Sequence, residues 1–296
     1  MNQDDPIRAI LMMVGATVVF ATADTISKYL TASLPVVEIL WIRYVLFLVM
    51  AFALNRGRLF KAFTPINPKL QIARGMAVIA SSMLFVYGVR TLSMAEATTI
   101  SFVSPLLITI LSIPLLGEVV GARRWAAVGA GMVGMLIVVR PGLGGFQPAA
   151  LFGITGAFCW SLALIITRKI ANSDAPQTTV MWSAGIGTLV LTILLPFGAV
   201  WPTPFQLLLG AALGILASAG QWLVILAHRF APASLIAPFS YTQLLWSTFW
   251  GWAVFANLPD HWTMAGAAVI IASGLYTAHR ERIRARQKVA KTLAAV

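Results

Sequence analysis

The chain has 296 residues, 59% of them hydrophobic and only 10% charged, and its mean hydropathy is +0.86. That excludes an ordinary soluble domain, which must interleave charge with apolar residues. The formal net charge of +12 would point to nucleic acid in a soluble protein, but on so apolar a chain the basic residues read as topological anchors, and no nucleic-acid partner is expected.

Ten apolar stretches follow one another, at roughly 7–30, 35–54, 69–90, 94–116, 121–140, 148–170, 176–199, 204–228, 233–256 and 261–278. About 20 helical residues cross a bilayer core about 30 Å thick. In hydrocarbon only helices satisfy their own backbone groups within one segment, so each stretch is predicted to be a spanning helix. These are spans one to ten. A leading segment with Asp4 and Asp5, and an apolar run of full spanning length, argue against a cleavable signal. Asp4, Asp5 and Pro6 read as a helix start.

Lys and Arg are enriched on the cytoplasmic side of membrane proteins. With the N-terminus inside, 17 of the 21 Lys and Arg fall on inner loops and helix ends. They are Arg8, Arg56, Arg58, Lys61, Lys69, Arg74, Arg123, Arg124, Arg168, Lys169, Arg229 and the tail's Arg280, Arg282, Arg284, Arg286, Lys288 and Lys291. Lys28, Arg90 and Arg140 fall outside, and Arg43 lies within span two. Both termini are therefore expected to be cytoplasmic. The tail can also touch anionic lipid.

Polar groups at membrane depth are costly and therefore candidates for function. In span one, Thr17, Ala21, Asp24 and Lys28 share one helix face. Asp24 and Lys28 form an i, i+4 acid–base set, readable as a local ion pair, a gate, or a site for the charged groups of a zwitterion. Glu38 and Arg43 in span two lie too far around the helix to pair, so each needs a partner from another helix or from water. Glu96 opens span four, close in sequence to Arg90, and the two can close an outer gate. Pro105 in span four frees the carbonyl of Ser101, and Pro238 in span nine frees that of Ser234. Cys159 is the one cysteine, so no internal disulfide is possible. His228, His261 and His279 are scattered and suggest no metal site.

The chain is written twice. Gly15-x-Thr17-x-x-Phe20 matches Gly153-x-Thr155-x-x-Phe158; Pro35 and Trp41 match Pro176 and Trp182; Trp125 and Gly129 match Trp262 and Gly266. The offsets are 138, 141 and 137. A repeat of five helices re-enters the membrane from the opposite side, a recurring plan in secondary transporters. The fold class predicted is an all-α membrane protein, ten transmembrane helices in two inverted five-helix repeats around a central cavity. The divisions are 1–145, 146–278 and a basic tail, 279–296.

Five plus five helices, Ala95-x-Ala97, Pro105, and Gly117-Glu118 followed by Gly129-x-Gly131 resemble the EamA-like family of the drug/metabolite transporter superfamily. The resemblance runs from about Ile7 to Ala278. In the second repeat Phe255 stands where the first has Glu118, and Thr242 where it has Pro105. Among its branches the chain looks most like the bacterial exporters of aromatic amino acids and of methionine and threonine. The resemblance makes Glu118 a family signature. Its place beside Arg123 and Arg124 suits tying the loop better than coupling protons.

The resemblance also implies that spans three, four, eight and nine line the cavity and that five and ten lie at the periphery. The expected substrate-binding set is Ser82 and Tyr87, Thr98 and Ser101, Trp160, Gln221 and Trp222, and Tyr241, Gln243 and Trp246. The gating or coupling set is Asp24, Lys28, Glu38, Arg43 and Glu96. An aromatic, weakly polar pocket suits a neutral amphipathic solute. A phosphate would call for several Arg or Lys. Mid-helix aromatic residues also serve packing, and Trp250, Trp252 and Trp262 read as interfacial belt residues. Gly210-x3-Gly214-x3-Ser218, and Ala126, Ala130 and Gly134, mark close helix contacts.

No P-loop or dinucleotide loop is present, and no enzyme activity or cofactor is expected. A channel and a membrane-embedded transferase are the alternatives from other classes. The reading is a multi-pass inner-membrane carrier in lipid that exports small neutral metabolites, above all amino acids including aromatic ones. A hydrophobic or cationic drug is the second substrate class. Facilitated exchange is expected; proton antiport would fall to Glu38, the carboxylate with no basic residue one turn away.

Overall fold

The computed structural model describes residues 6–54, 64–117, 121–140, 147–171, 173–230 and 233–293, and all secondary structure among them is helical. Helices α1 (Pro6–Leu30), α2 (Val36–Leu54) and α3 (Pro68–Val89) correspond to spans one to three. Span four is two helices, α4 (Met94–Ser101) and α5 (Ser104–Leu116). Then come α6 (Ala122–Val139), α7 (Ala149–Ile170), α8 (Pro176–Leu194, followed by a 3₁₀ turn, Leu195–Phe197) and α9 (Pro204–Phe230). Span nine is again two helices, α10 (Ala233–Ser240) and α11 (Thr242–Phe255), and α12 (His261–Leu293) ends the series. Seven stretches are long and apolar enough to cross a membrane: Pro6–Leu30, Val36–Ala53, Pro68–Val89, Met94–Leu116, Ala149–Ile170, Pro176–Phe197 and Pro204–Ala227. Trp125–Val139 is a shorter apolar helix. The chain is a multi-pass membrane protein. Glu118 and the basic loop at 55–63 lie outside the described residues.

Helix starts follow local chemistry. α1, α3, α8 and α9 open on proline, whose missing N–H would be unsatisfied there anyway. Ser93 and Glu96 form a capping box on α4, each side chain accepting from the other's backbone N–H, at 3.1 and 2.9 Å. Gly117 ends α5 at φ +69, a left-handed position that glycine adopts without strain. The break in span four sits just before Pro105. The carbonyl of Ser101 that Pro105 frees accepts the Ser104 hydroxyl at 2.6 Å, so the protein itself satisfies it. α12 runs unbroken to Leu293, so the basic segment from 279 continues span ten as a helix.

The packing has a two-fold pattern. α1 packs on α9 and on the broken pair α10 and α11; its counterpart α7 packs on α3 and on the broken pair α4 and α5. α2 lies against α8 and α9, and α8 against α2 and α3. The symmetric partners also meet one another, α4 with α11 and α6 with α12. Exchanging span one for six, two for seven, and so on maps these principal contacts onto one another.

Small residues permit the closest crossings. A Cβ on Gly266 in α12 would meet the carbonyl oxygen of Gly134 in α6 at 2.6 Å, and one on Gly134 would meet that of Gly266 at 3.0 Å. Gly210 and Gly214 of α9 lie on Ile42 and Leu46 of α2. The largest buried apolar cluster gathers Met94, Ile100, Val103 and Leu106 of span four and its break with Val128, Met135 and Val138 of α6 and Ile270 of α12.

Candidate functional site

Polar side chains inside the bundle meet across the two halves. The Thr17 and Thr242 hydroxyls are 2.8 Å apart, joining α1 to the start of α11. At the next residue of α11, and two turns further along α1, Gln243 Nε2 donates to Asp24 Oδ2 at 3.3 Å. Arg43 of α2 interacts electrostatically with Asp24. It makes no ion pair among the described residues. The adjacent Tyr44 places its hydroxyl 3.1 Å from that of Ser82 on α3. Asp24, Arg43 and Gln243 thus come from three helices to one locus holding one negative group, one positive group and an amide.

Spans four and nine cross at their breaks. Phe102 and Tyr241 stack edge to face, with centroids 5.0 Å apart, and the Tyr241 hydroxyl is pressed onto Gly274 of α12. Thr98 donates to Ser247 at 2.9 Å, both buried. Thr98 and Tyr241, expected to bind substrate, are therefore engaged by helix contacts. Ser101 donates to its own helix, to the Ala97 carbonyl at 2.9 Å. The Trp246 indole N–H is buried without an acceptor, as are those of Trp182 and Trp250. Tyr87, Trp160 and Trp222 are exposed, at 37, 40 and 45%, and so is Gln221.

Asp24 and Lys28 share a helix face yet do not pair. Lys28 Nζ donates to the Leu92 carbonyl before α4 and lies 5.2 Å from the centre of the Phe255 ring. Glu96 turns to Arg140, 4.0 Å away, rather than to Arg90, and Arg140 makes its close pair with Asp260 at 2.7 Å. Asp260 also accepts the Thr263 backbone N–H at 2.8 Å, capping α12. One polar cluster so ties the ends of α1, α4, α6 and α12 on the face expected to be outer.

Glu38 has a backbone partner rather than a basic side chain. It is 5% exposed, and its carboxylate accepts the Val200 backbone N–H at 3.1 Å, holding the loop that leads into α9. Asp174 does the symmetric job at the opposite end: it accepts the Ile66 backbone N–H at 2.7 Å, ahead of α3, and Gln71 Nε2 at 2.7 Å. Near it, Arg74 donates to Thr167 at 2.6 Å, to the Thr179 carbonyl at 3.3 Å, and to the Ser183 hydroxyl.

Sequence reasoning missed Tyr44, Gln71, Arg74, Asp174 and the Arg140–Asp260 pair. One signal was available: Gln71 and Arg74 are three apart inside span three, on one face and past the end of the helix where an anchor belongs.

Charged and hydrogen-bonding side chains gathered within an apolar bundle, between two halves of like packing, define a membrane transport protein. The EamA-like transporter family matches the chain twice, over residues 7–140 and 147–278, and the chain belongs to that family. It is a transporter, not an enzyme. It is 26% identical to a riboflavin transporter of Rhizobium johnstonii over 96% of each chain. It is 28% identical to an S-adenosylmethionine uptake transporter of Rickettsia bellii, over 90% of this chain and 91% of that one. It is 23% identical to the pseudopaline exporter of Pseudomonas aeruginosa, over 88 and 93%. A solved structure described only as "Crystal structure of protein" superposes with TM-score 0.62 at 20% identity, over 94% of this chain and 96% of that one. That likeness carries the fold alone.

Proposed function

We propose that this transporter is a ten-span carrier of the bacterial inner membrane, with both termini cytoplasmic and two inverted halves that rock to open a central path to either side. Its cargo is a small amphipathic metabolite with an amino-acid head group, and amino acids including aromatic ones fall in that class. The observation that carries the reading is the Asp24–Arg43–Gln243 locus. The Asp24 carboxylate complements the ammonium group of a zwitterion, Arg43 lies within electrostatic range of it, and the amide fixes orientation. Trp246, with an unused buried N–H, adds apolar area one turn along α11 for the body of the solute.

Among the relatives, the S-adenosylmethionine transporters are in keeping with this cargo class and the riboflavin transporters share only its flat ring. S-adenosylmethionine carries an amino-acid head and a flat ring, and riboflavin carries a flat ring. Relatives are named for uptake and for export, so the cargo class is proposed without a fixed direction. The path holds few charges, which favours facilitated exchange.

The test is counterflow in proteoliposomes with labelled phenylalanine and labelled S-adenosylmethionine, competed by methionine, threonine, riboflavin and a lipophilic cation. The amino-acid-bearing solutes are expected to exchange and to compete. If riboflavin or the cation competes while no amino-acid-bearing solute does, the reading is wrong.

A further inference from the structure

Arg74 lies six residues into α3, partly buried in the bundle. A buried cation ordinarily keeps a carboxylate beside it, because desolvation is otherwise uncompensated. Among the residues whose side chains are described the carboxylates are Asp24, Glu38, Glu96, Asp174 and Asp260, and each is held by the partners given above. None forms an ion pair with Arg74. Its Nε and Nη1 are taken by neutral acceptors on α7 and α8. The Nη2 amino group has no acceptor among the described residues and is not sealed from its surroundings. The guanidinium is thus pinned along one edge and open on another.

The location supports a role in the path. Tyr44, whose hydroxyl meets Ser82, interacts electrostatically with both Arg43 and Arg74. Both arginines lie within electrostatic range of one buried phenol, and Gln71, three residues before Arg74 on α3, binds Asp174. A single pinned guanidinium suits a planar carboxylate. A phosphate would require further basic groups around it.

We propose that Arg74 is a specificity-determining residue that binds the carboxylate of the cargo, so that a solute without a carboxylate is carried poorly whatever its ring. This rests on the amino-acid reading above and goes beyond it in naming the group required and the residue that takes it. The neutral partners on α7 and α8 hold the guanidinium ready, and the cargo brings the missing counter-charge.

The experiment measures inhibition of labelled phenylalanine counterflow by phenylalanine and by phenylalaninamide, in wild type, Arg74→Gln and Arg74→Lys. In wild type the acid should compete at least about tenfold better than the amide. In Arg74→Gln that preference should fall toward unity at an unchanged melting temperature, and Arg74→Lys should recover part of it. A purely structural role would lower transport of both without changing their ratio, so a preference retained in Arg74→Gln overturns the proposal. Should Arg74→Gln fail to fold, the same ratio in Arg74→Lys decides. Should phenylalanine not be carried at all, the amino-acid reading falls, and phenylpyruvate, a carboxylate with no ammonium group, decides on Arg74 alone. It should raise the melting temperature of wild type but not of Arg74→Gln. An equal effect on both, or none on either, refutes the assignment.

Discussion

Asp24 is held by an amide from α11 and lies within electrostatic range of a guanidinium from α2 without a close ion pair to it. Asp24→Asn keeps the shape and removes the charge. Losing one charge-assisted contact costs about 1.5–3 kcal/mol, so the KM for a zwitterion should rise by about ten- to a hundredfold. Initial counterflow rates at matched protein levels check this; an unchanged KM would mean that Asp24 only packs. Trp246→Ala should slow phenylalanine more than threonine, because the lost aromatic surface matters most to the larger solute. Equal losses for both would assign Trp246 to packing.

Asp24, Lys28, Glu38, Arg43 and Glu96 stand out in the sequence because charge is rare at such depth. Their partners do not, since Gln243 lies 219 residues from Asp24 and Val200 lies 162 from Glu38. Only the folded chain shows that Glu38 binds a loop and that Arg74, counted among the topological anchors, faces into the bundle.

Helix starts were legible almost residue by residue, because bilayer thickness and prolines set them, whereas α12 runs on to Leu293, past the expected end of span ten at 278. The breaks in spans four and nine were half legible. Pro105 and Pro238 announced them, but not that Ser104 would satisfy the freed carbonyl. The small-residue spacing marked Gly134 as a close-contact position without naming α12 as its partner, and a substitution at that contact has a calculable effect. Gly266→Ala places a methyl against the Gly134 carbonyl oxygen at 2.6 Å. The helices must separate, and such overpacking costs about 1–3 kcal/mol. Gly129→Ala on the same helix pair meets nothing within 4 Å and should be neutral or stabilise by about 0.5–1 kcal/mol. Melting temperatures of the purified variants in detergent compare the two, and equal values would refute the close-contact account.

Across the whole bundle, the Glu96–Arg140–Asp260 cluster joins three helix ends. Desolvation pushes the Asp260 carboxyl upward. Hydrogen bonds from Thr263, firmly from its backbone N–H, and the Arg140 guanidinium outweigh that and hold it below the usual carboxylate range. A carboxyl so lowered in the folded state stabilises it above the unfolded value, near about 4, and loses that contribution as pH falls through the folded value. The melting-temperature gap between wild type and Asp260→Asn should therefore be constant from neutral pH down to about 5 and close below about 4. A gap that persists in acid would show that the charge is irrelevant. Topology is tested at the same scale: a C-terminal reporter should be active only if it works in the cytoplasm, and activity of a periplasm-only reporter would reverse the orientation.

The crossed packing, α1 on α9 and α3 on α7, has a consequence for how the molecule is made. When the ribosome has delivered α1 to α6, neither α1 nor α3 has met the helix it packs against most extensively. The first half must therefore wait in the bilayer as inserted but unassembled helices, and assembly proceeds only as α7 to α9 arrive. Contacts this distant in sequence also make assembly slow. Polar groups such as Arg74 spend that interval without Thr167 and Ser183, which makes the nascent first half the stage most exposed to membrane quality control. Residues 1–145 and 146–296 expressed as two chains should accordingly accumulate and transport together but not singly. Degradation of a destabilised variant should set in before the second half has been synthesised.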